Sequence, residues 1–235
     1  MSLWVSAFIL ARAFLAPSSA PGSATATTTD LYFVRHGETV ANATGKYNSR
    51  TINTFSAKGA AEVGALPRRL SGIRFDAVIC SPSPRAIYTA ASVLKADRLT
   101  ATIWPEFNEC CTQSRRLRSL PPHYESLRPV GKVKIPSSVA SYFRLDPSDS
   151  QMFADGNYQD GLVQTRYAVR HFRSTFEGSG RTVLVVGHSG QGARFVEILL
   201  GKQPDGKIHI GNTSIYHLRE QGHHWTLVSV SNFKG

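Results

Sequence analysis

The chain has 235 residues, 41% of them hydrophobic and 18% charged, enough for one sizeable domain or two small ones and unlike a disordered chain. A formal charge of +11 favours anionic partners: phosphorylated metabolites, nucleic acid or a membrane surface. Three cysteines, Cys80 and the adjacent Cys110 and Cys111, exclude a disulfide framework and a C-x-x-C metal knuckle, and they read as packed or free thiols.

Residues 1–30 hold an apolar run interrupted by Arg12, then a Ser/Thr/Ala/Pro/Gly tail. The run is too short to span a bilayer, so no stable membrane insertion is expected. A secretory signal wants a basic start and a transit peptide more arginine. The segment reads as a targeting sequence or a flexible tail outside the fold, and it leaves cytoplasmic, organellar and secreted destinations open.

Leu31–Val34 is a short apolar strand. Ser56 caps a helix running to about Leu70, with Ala60, Val63, Ala65 and Leu66 as its apolar positions. "FDAVIC" (75–80) is a strand, "SPSPRAIYTAASVLKA" a helix with prolines in its first turn, and "TATIW" (100–104) a third strand. Residues 112–158 carry five prolines and a basic stretch from Arg115 to Arg144, and they read as an irregular lid or insertion. A helix at about 160–177 follows, with Leu162, Tyr167, Val169, Phe172 and Phe176 as its buried stripe. "TVLVVGH" is a buried strand, "GARFVEILLG" a helix, and "TSIYHLRE" and "HWTLVSV" two closing strands. The alternation predicts an α/β three-layer sandwich with a mostly parallel mixed sheet flanked by helices.

Ligand sites in such sheets gather at the carboxyl ends of strands. Those ends supply Arg35-His36-Gly37, Ser81 to Arg85, Glu106 or Glu109, and Gly187-His188-Ser189-Gly190. Two guanidinium forks suit a tetrahedral phosphate. A neutral imidazole is a competent nucleophile, Gly37 leaves room for backbone to approach a ligand, and a carboxylic acid can protonate a departing oxygen. The backbone from Ser189 to Gly192 lies at a helix N-terminus, which favours an anion.

Arg-His-Gly-Glu-Thr followed by Asn42, "SPSPRAIYTA", a glutamate after the third strand and "VVGHSG" together resemble the histidine phosphatase superfamily, the phosphoglycerate-mutase-like proteins. The resemblance covers about 31–109 and 181–230. It implies a phosphoglycerate-mutase-like fold over 31–235 and a metal-independent phosphomonoester hydrolase that needs no cofactor. It also implies that His36 is the phosphohistidine nucleophile. Arg35, Arg85 and His188 would bind phosphoryl oxygens with help from Asn42, and Ser189 and Gly190 would add to the phosphate site. Glu109 would be the general acid and then the base, with Glu106 a surface charge. Two departures stand out. Asn48-Ser49 replaces the family's small-residue and glycine pair, and 112–158 lacks an Arg-His-Tyr-Gly segment, which favours a phosphatase over a glycolytic mutase.

The alternatives are a phosphoglycerate mutase and a non-catalytic phospholigand-binding module on the same fold. "GHSGQ" also imitates a Gly-x-Ser-x-Gly elbow, but Gln191 stands at its last position and little chain follows to supply an acid and a histidine. Arg35 paired with Glu38 would be a structural use of the same cation. The basic stretch lacks the interleaved aromatics of a nucleic-acid surface, so the expected partner is a small phosphorylated substrate or a phosphoprotein. Asn42 and Asn212 each open a glycosylation sequon, and a glycan on Asn42 would block the site. His209, His217, His223 and His224 receive no role.

Overall fold

A computed structural model describes residues 27–112, 128–154 and 157–234. Residues 1–26 of the amino-terminal segment, and Arg115, Arg116 and Arg118 of the basic stretch, lie outside the described residues.

The strands are β1 (Thr29–Arg35), β2 (Ala77–Cys80), β3 (Ala101–Ile103), β4 (Arg128–Lys132), β5 (Phe143–Arg144), β6 (Gln151–Ala154), β7 (Thr182–Gly187), β8 (Ile215–Gln221) and β9 (His224–Ser231). The helices are α1 (Val40–Thr44), α2 (Ala57–Arg69), α3 (Pro84–Asp97), α4 (Tyr158–Phe176) and α5 (Gly190–Leu199). The main sheet runs β5-β3-β2-β7-β1-β8-β9. It is parallel from β5 to β1, and β8 and β9 are antiparallel additions at one side.

Burial on both faces explains the unbroken apolar runs of β1 and β7. Leu31, Phe33, Val183 and Val185 join a core with Phe172 of α4 and Phe195 of α5. Val34, Leu184 and Val186 point the other way, into a core with Leu66 of α2 and Ile87 of α3. Each strand therefore feeds both cores with a period of two, and the three-layer sandwich follows.

Several expectations need correction. Ala60 is exposed, because the inward stripe of α2 runs Gly59, Glu62, Val63 and Leu66. On α4 the stripe is Leu162, Thr165, Val169, Phe172 and Phe176, at alternating spacings of three and four. Tyr167 falls off that spacing and is half-buried. The 112–158 excursion is not irregular throughout. β4 and β6 pair as a separate two-stranded antiparallel sheet, and β5 extends the main sheet beside β3. Prolines disguised both: Pro129 sits next to a register shift in the small ribbon, where a missing N–H is tolerated. Among the described residues no helix is long and apolar enough to cross a membrane.

Candidate active site

Parallel pairing of β1 with β7 sets Arg35 opposite Gly187, and His36 N donates to Gly187 O (3.0 Å) one step beyond. The register brings the next residues, His36 and His188, together with ring centroids 5.3 Å apart and planes at 65°. The apolar strand ends in polar residues because its carboxyl end forms the floor of a cavity of about 620 Å³. Arg35, His36, Asn42, Arg85, Glu109, Ser189 and Gly190 all line it.

His36 is 2% exposed. Its Nδ1 lies 2.8 Å from the Gly37 carbonyl oxygen, which can only accept, so Nδ1 carries the hydrogen. That leaves the lone pair on Nε2, where the Arg85 Nε donates to it (3.2 Å). Burial, then the Arg85 and Arg35 charges, holds the imidazole pKa well below its ordinary value. The ring is neutral near pH 7, with one free nitrogen directed at the cations.

His188 is fully buried, and the same causes, burial first and Arg85 next, depress its pKa. The Ser81 hydroxyl oxygen accepts from Ser83 N (3.2 Å) and lies 2.6 Å from His188 Nε2, which holds the ring in place. Among the described residues His188 Nδ1 has no hydrogen-bond partner, and it lies 3.9 Å from Glu109 Oε2.

Arg35 donates through Nη1 to Ile210 O (2.9 Å), while its buried Nε has no partner among the described residues. It does not pair with Glu38, whose carboxylate takes Ser56 Oγ (2.7 Å) and Lys58 Nζ (2.9 Å) instead. Arg85 enters from the first turn of α3, where a cation opposes the helix dipole unless an anion stands in front of it. Burial lowers the pKa of both guanidinium groups and Glu109 opposes the shift.

Glu106 lies within the 3-10 turn Pro105–Phe107, and Glu109 follows just past its end. Glu106 is 2% exposed and accepts from or donates to no cavity group; its Oε1 meets His171 Nδ1 of α4 at 2.7 Å. It is an internal anchor, not the surface charge expected. Glu109 lines the cavity: Oε1 accepts from Gln191 N (3.0 Å) and Cys110 N (3.2 Å), and Oε2 faces His188. Burial raises its pKa above the usual carboxylate range, against the Gln191 N–H and the two arginines.

Asn42 lines the cavity, but its Oδ1 is committed to Thr39 N (3.2 Å) in a capping box and to Asn212 Nδ2 (3.3 Å). Its amide nitrogen donates to the hydroxyl of Tyr47 (3.4 Å), which also lines the cavity. A Cβ at Gly190 would lie 2.3 Å from Cys110 O, so glycine is what lets α5 close on the Glu109 segment. Gly37 serves a different purpose from the one expected. A Cβ there would lie 2.4 Å from Val63 Cγ2 of α2, so the glycine makes room for a helix and not for a ligand.

Ser81, Asn212, Tyr47 and Ile52 went unassigned in the sequence. Asn212 also donates to His36 O (3.0 Å), so its reading as a sequon hid a contact with the site. Ser81 and Asn212 reach the site only through pairing across 107 and 176 residues of chain, which no local pattern announces. All three cysteines are buried and outside any disulfide. Glu177, Glu220 and His223 come close enough to hold a cation, but their oxygens already accept from Trp225 Nε1, Gly178 N and His223 N.

A neutral imidazole beside two arginines and a second imidazole, with a carboxyl of raised pKa lining the same cavity, is chemically suited to holding a tetrahedral anion. The sequence model of the histidine phosphatase superfamily (branch 1) matches residues 31–116. That match takes in Arg35, His36, Asn42, Arg85 and Glu109, so the chain resembles the histidine phosphatases over residues that line the cavity. The chain is 24% identical over 202 residues to the adenosylcobalamin/α-ribazole phosphatase of Escherichia coli (strain K12), covering 86% of this chain and 90% of the relative. The solved structure of a putative α-ribazole-5′-P phosphatase from E. coli K-12 superposes with a TM-score of 0.61 at 21% identity, over 87% of this chain and 96% of that one. A phosphoglycerate mutase from Bacillus anthracis gives a TM-score of 0.54 at 18% identity, over 87% and 93%, and shares the fold.

Proposed function

We propose that the protein hydrolyses phosphomonoesters through a phosphohistidine on His36. The observation that carries this is the His36 tautomer: Nδ1 is tied to the Gly37 carbonyl, leaving the Nε2 lone pair at the cavity floor among Arg35, Arg85 and His188. On substrate entry Arg85 exchanges its bond to Nε2 for the phosphoryl oxygens, and the Arg35 Nε and His188 Nδ1 hydrogens gain acceptors. Nε2 attacks phosphorus while the bond to the ester oxygen breaks, and the raised pKa of Glu109 keeps a proton available for that oxygen. The Glu109 carboxylate then takes a proton from water, which attacks phosphorus. The P–N bond breaks, inorganic phosphate leaves, and His36 is neutral again. The arginines supply the positive charge that a metal ion would otherwise bring.

Brief reaction with labelled substrate, followed by a quench, should leave a label on wild-type protein that is acid-labile and alkali-stable, and none on His36→Ala. Label in that variant, or acid-stable label, overturns the assignment. Activity should survive EDTA and be inhibited by vanadate. The named activity of its relatives makes α-ribazole 5′-phosphate the first substrate to try, with release of inorganic phosphate as the readout. Return of the label to a second hydroxyl of a sugar acid would instead establish a mutase.

A further inference from the structure

A second cavity, of about 420 Å³, adjoins the catalytic one, and Ile52 and Arg85 line both. Arg85 forms the partition: its Nε turns to His36 while its Nη1 donates to Asn53 Oδ1 (3.4 Å), and Asn53 lines the second cavity. Whatever is bonded to a phosphoryl group held by Arg85 therefore has this space beside it.

The outer wall comes from the β4–β6 ribbon, which presents Val130, Lys132 and Met152 to the cavity, and from Lys134 just past β4. The ribbon is shaped for this. A register shift between Pro129 and Gly131, with Gly131 at φ +122°, re-aims the strand just before Lys132. Among the described residues no carboxylate lines the cavity, and neither Lys132 nor Lys134 enters a salt bridge. Among the described residues, two ammonium groups without an acidic partner face the same space as Arg85 and make a positive field, and apolar Ile52, Val130 and Met152 floor it with hydrocarbon.

Building on the hydrolase reading above, we propose that this cavity receives the leaving group of the substrate and that Lys132 and Lys134 bind a second anionic group on it. The preferred substrate is thus a small phosphomonoester with an apolar body that carries a carboxylate or a further phosphate. A neutral alcohol would fill the apolar floor and leave both ammonium groups in water.

Steady-state kinetics of wild type and Lys132→Gln/Lys134→Gln should be compared on phenyl phosphate, 4-carboxyphenyl phosphate and 1,4-phenylene bisphosphate. Both lysines are exposed, so the variant should fold normally, with an unchanged melting temperature as the control. The expected result is a KM raised about tenfold for the two anionic esters and within about twofold for phenyl phosphate, the gap narrowing with added salt. The larger response of the two identifies the anion as carboxylate or phosphate. Equal changes on all three esters, no change on any, or a response confined to acidic phosphopeptides overturns the proposal. Calorimetric titration of His36→Ala with 4-carboxyphenyl phosphate, with and without the lysine substitutions, separates the two readings. A lysine-dependent affinity there upholds the subsite even if no hydrolysis is found, and a lysine-independent one refutes it even if hydrolysis proceeds.

Discussion

Glu109→Gln keeps the length of the side chain and its accepting oxygen, so the bonds from Gln191 N (3.0 Å) and Cys110 N (3.2 Å) persist and the segment should hold its place. What disappears is the proton at Oε2, the oxygen facing His188 across the cavity. A positioned acid contributes roughly 10²–10⁴ where the leaving oxygen needs a proton. The expected loss in kcat/KM is therefore about 10³ for an alkyl phosphate, or about 4 kcal/mol, and less than about tenfold for p-nitrophenyl phosphate. Burial places the Glu109 pKa above the carboxylate range, so alkyl-ester turnover in wild type should fall on the basic side as the acid ionises. The variant should lack that limb. Stability follows from the same shift. The raised folded pKa favours the native state fully below the unfolded pKa, near 4.5, and that advantage is lost as pH rises through the folded value. Glu109→Gln should accordingly melt above wild type at pH 7, with the difference shrinking under acid. Equal losses on both esters, or a selective loss in Glu106→Gln instead, would refute the assignment.

Ser81→Ala removes the partner of His188 Nε2, so kcat/KM and vanadate affinity should fall together by about 10–100-fold, as when a histidine loses the group that orients it. A fall in one without the other would detach Ser81 from oxyanion binding. Gly190→Ala should cost about 1–3 kcal/mol in urea melts, because its Cβ meets Cys110 O, and it should slow alkyl esters more than aryl ones by displacing Glu109. The folded pKa of His188 lies well below 6.5, so its contribution is complete above that value and is lost as pH falls beneath it. Wild type should lose stability relative to His188→Gln between pH 7 and 5, and parallel pH profiles would contradict a buried neutral ring.

The sandwich was legible because β1 and β7 each carry an unbroken apolar run, Leu31–Val34 and Val183–Val186, as a strand covered on both faces requires. The strand-end residues were legible for the same reason: Arg35-His36 and His188 interrupt runs that packing alone would have continued. The fate of Glu106 was not, since three residues along an irregular turn reverse a side chain and no periodicity applies there. The small ribbon escaped notice because β4 contains both a proline and a glycine, and β6 spans only Gln151–Ala154. Ser81 and Asn212 were hidden by distance along the chain, since their partners come from β7 and β1.

The long-range bonds that draw the site together reach from 49 positions (Arg85–His36) to 176 (Asn212–His36) along the chain. Helices α3 and α5 close local hydrogen bonds and form quickly, whereas a β1–β7 ladder must first close a long loop. On dilution from denaturant, far-ultraviolet helical signal should thus return before the first turnover. The lag between them measures the docking of β7 beside β1, which makes enzymatic activity a clock for the slowest step in acquiring this fold.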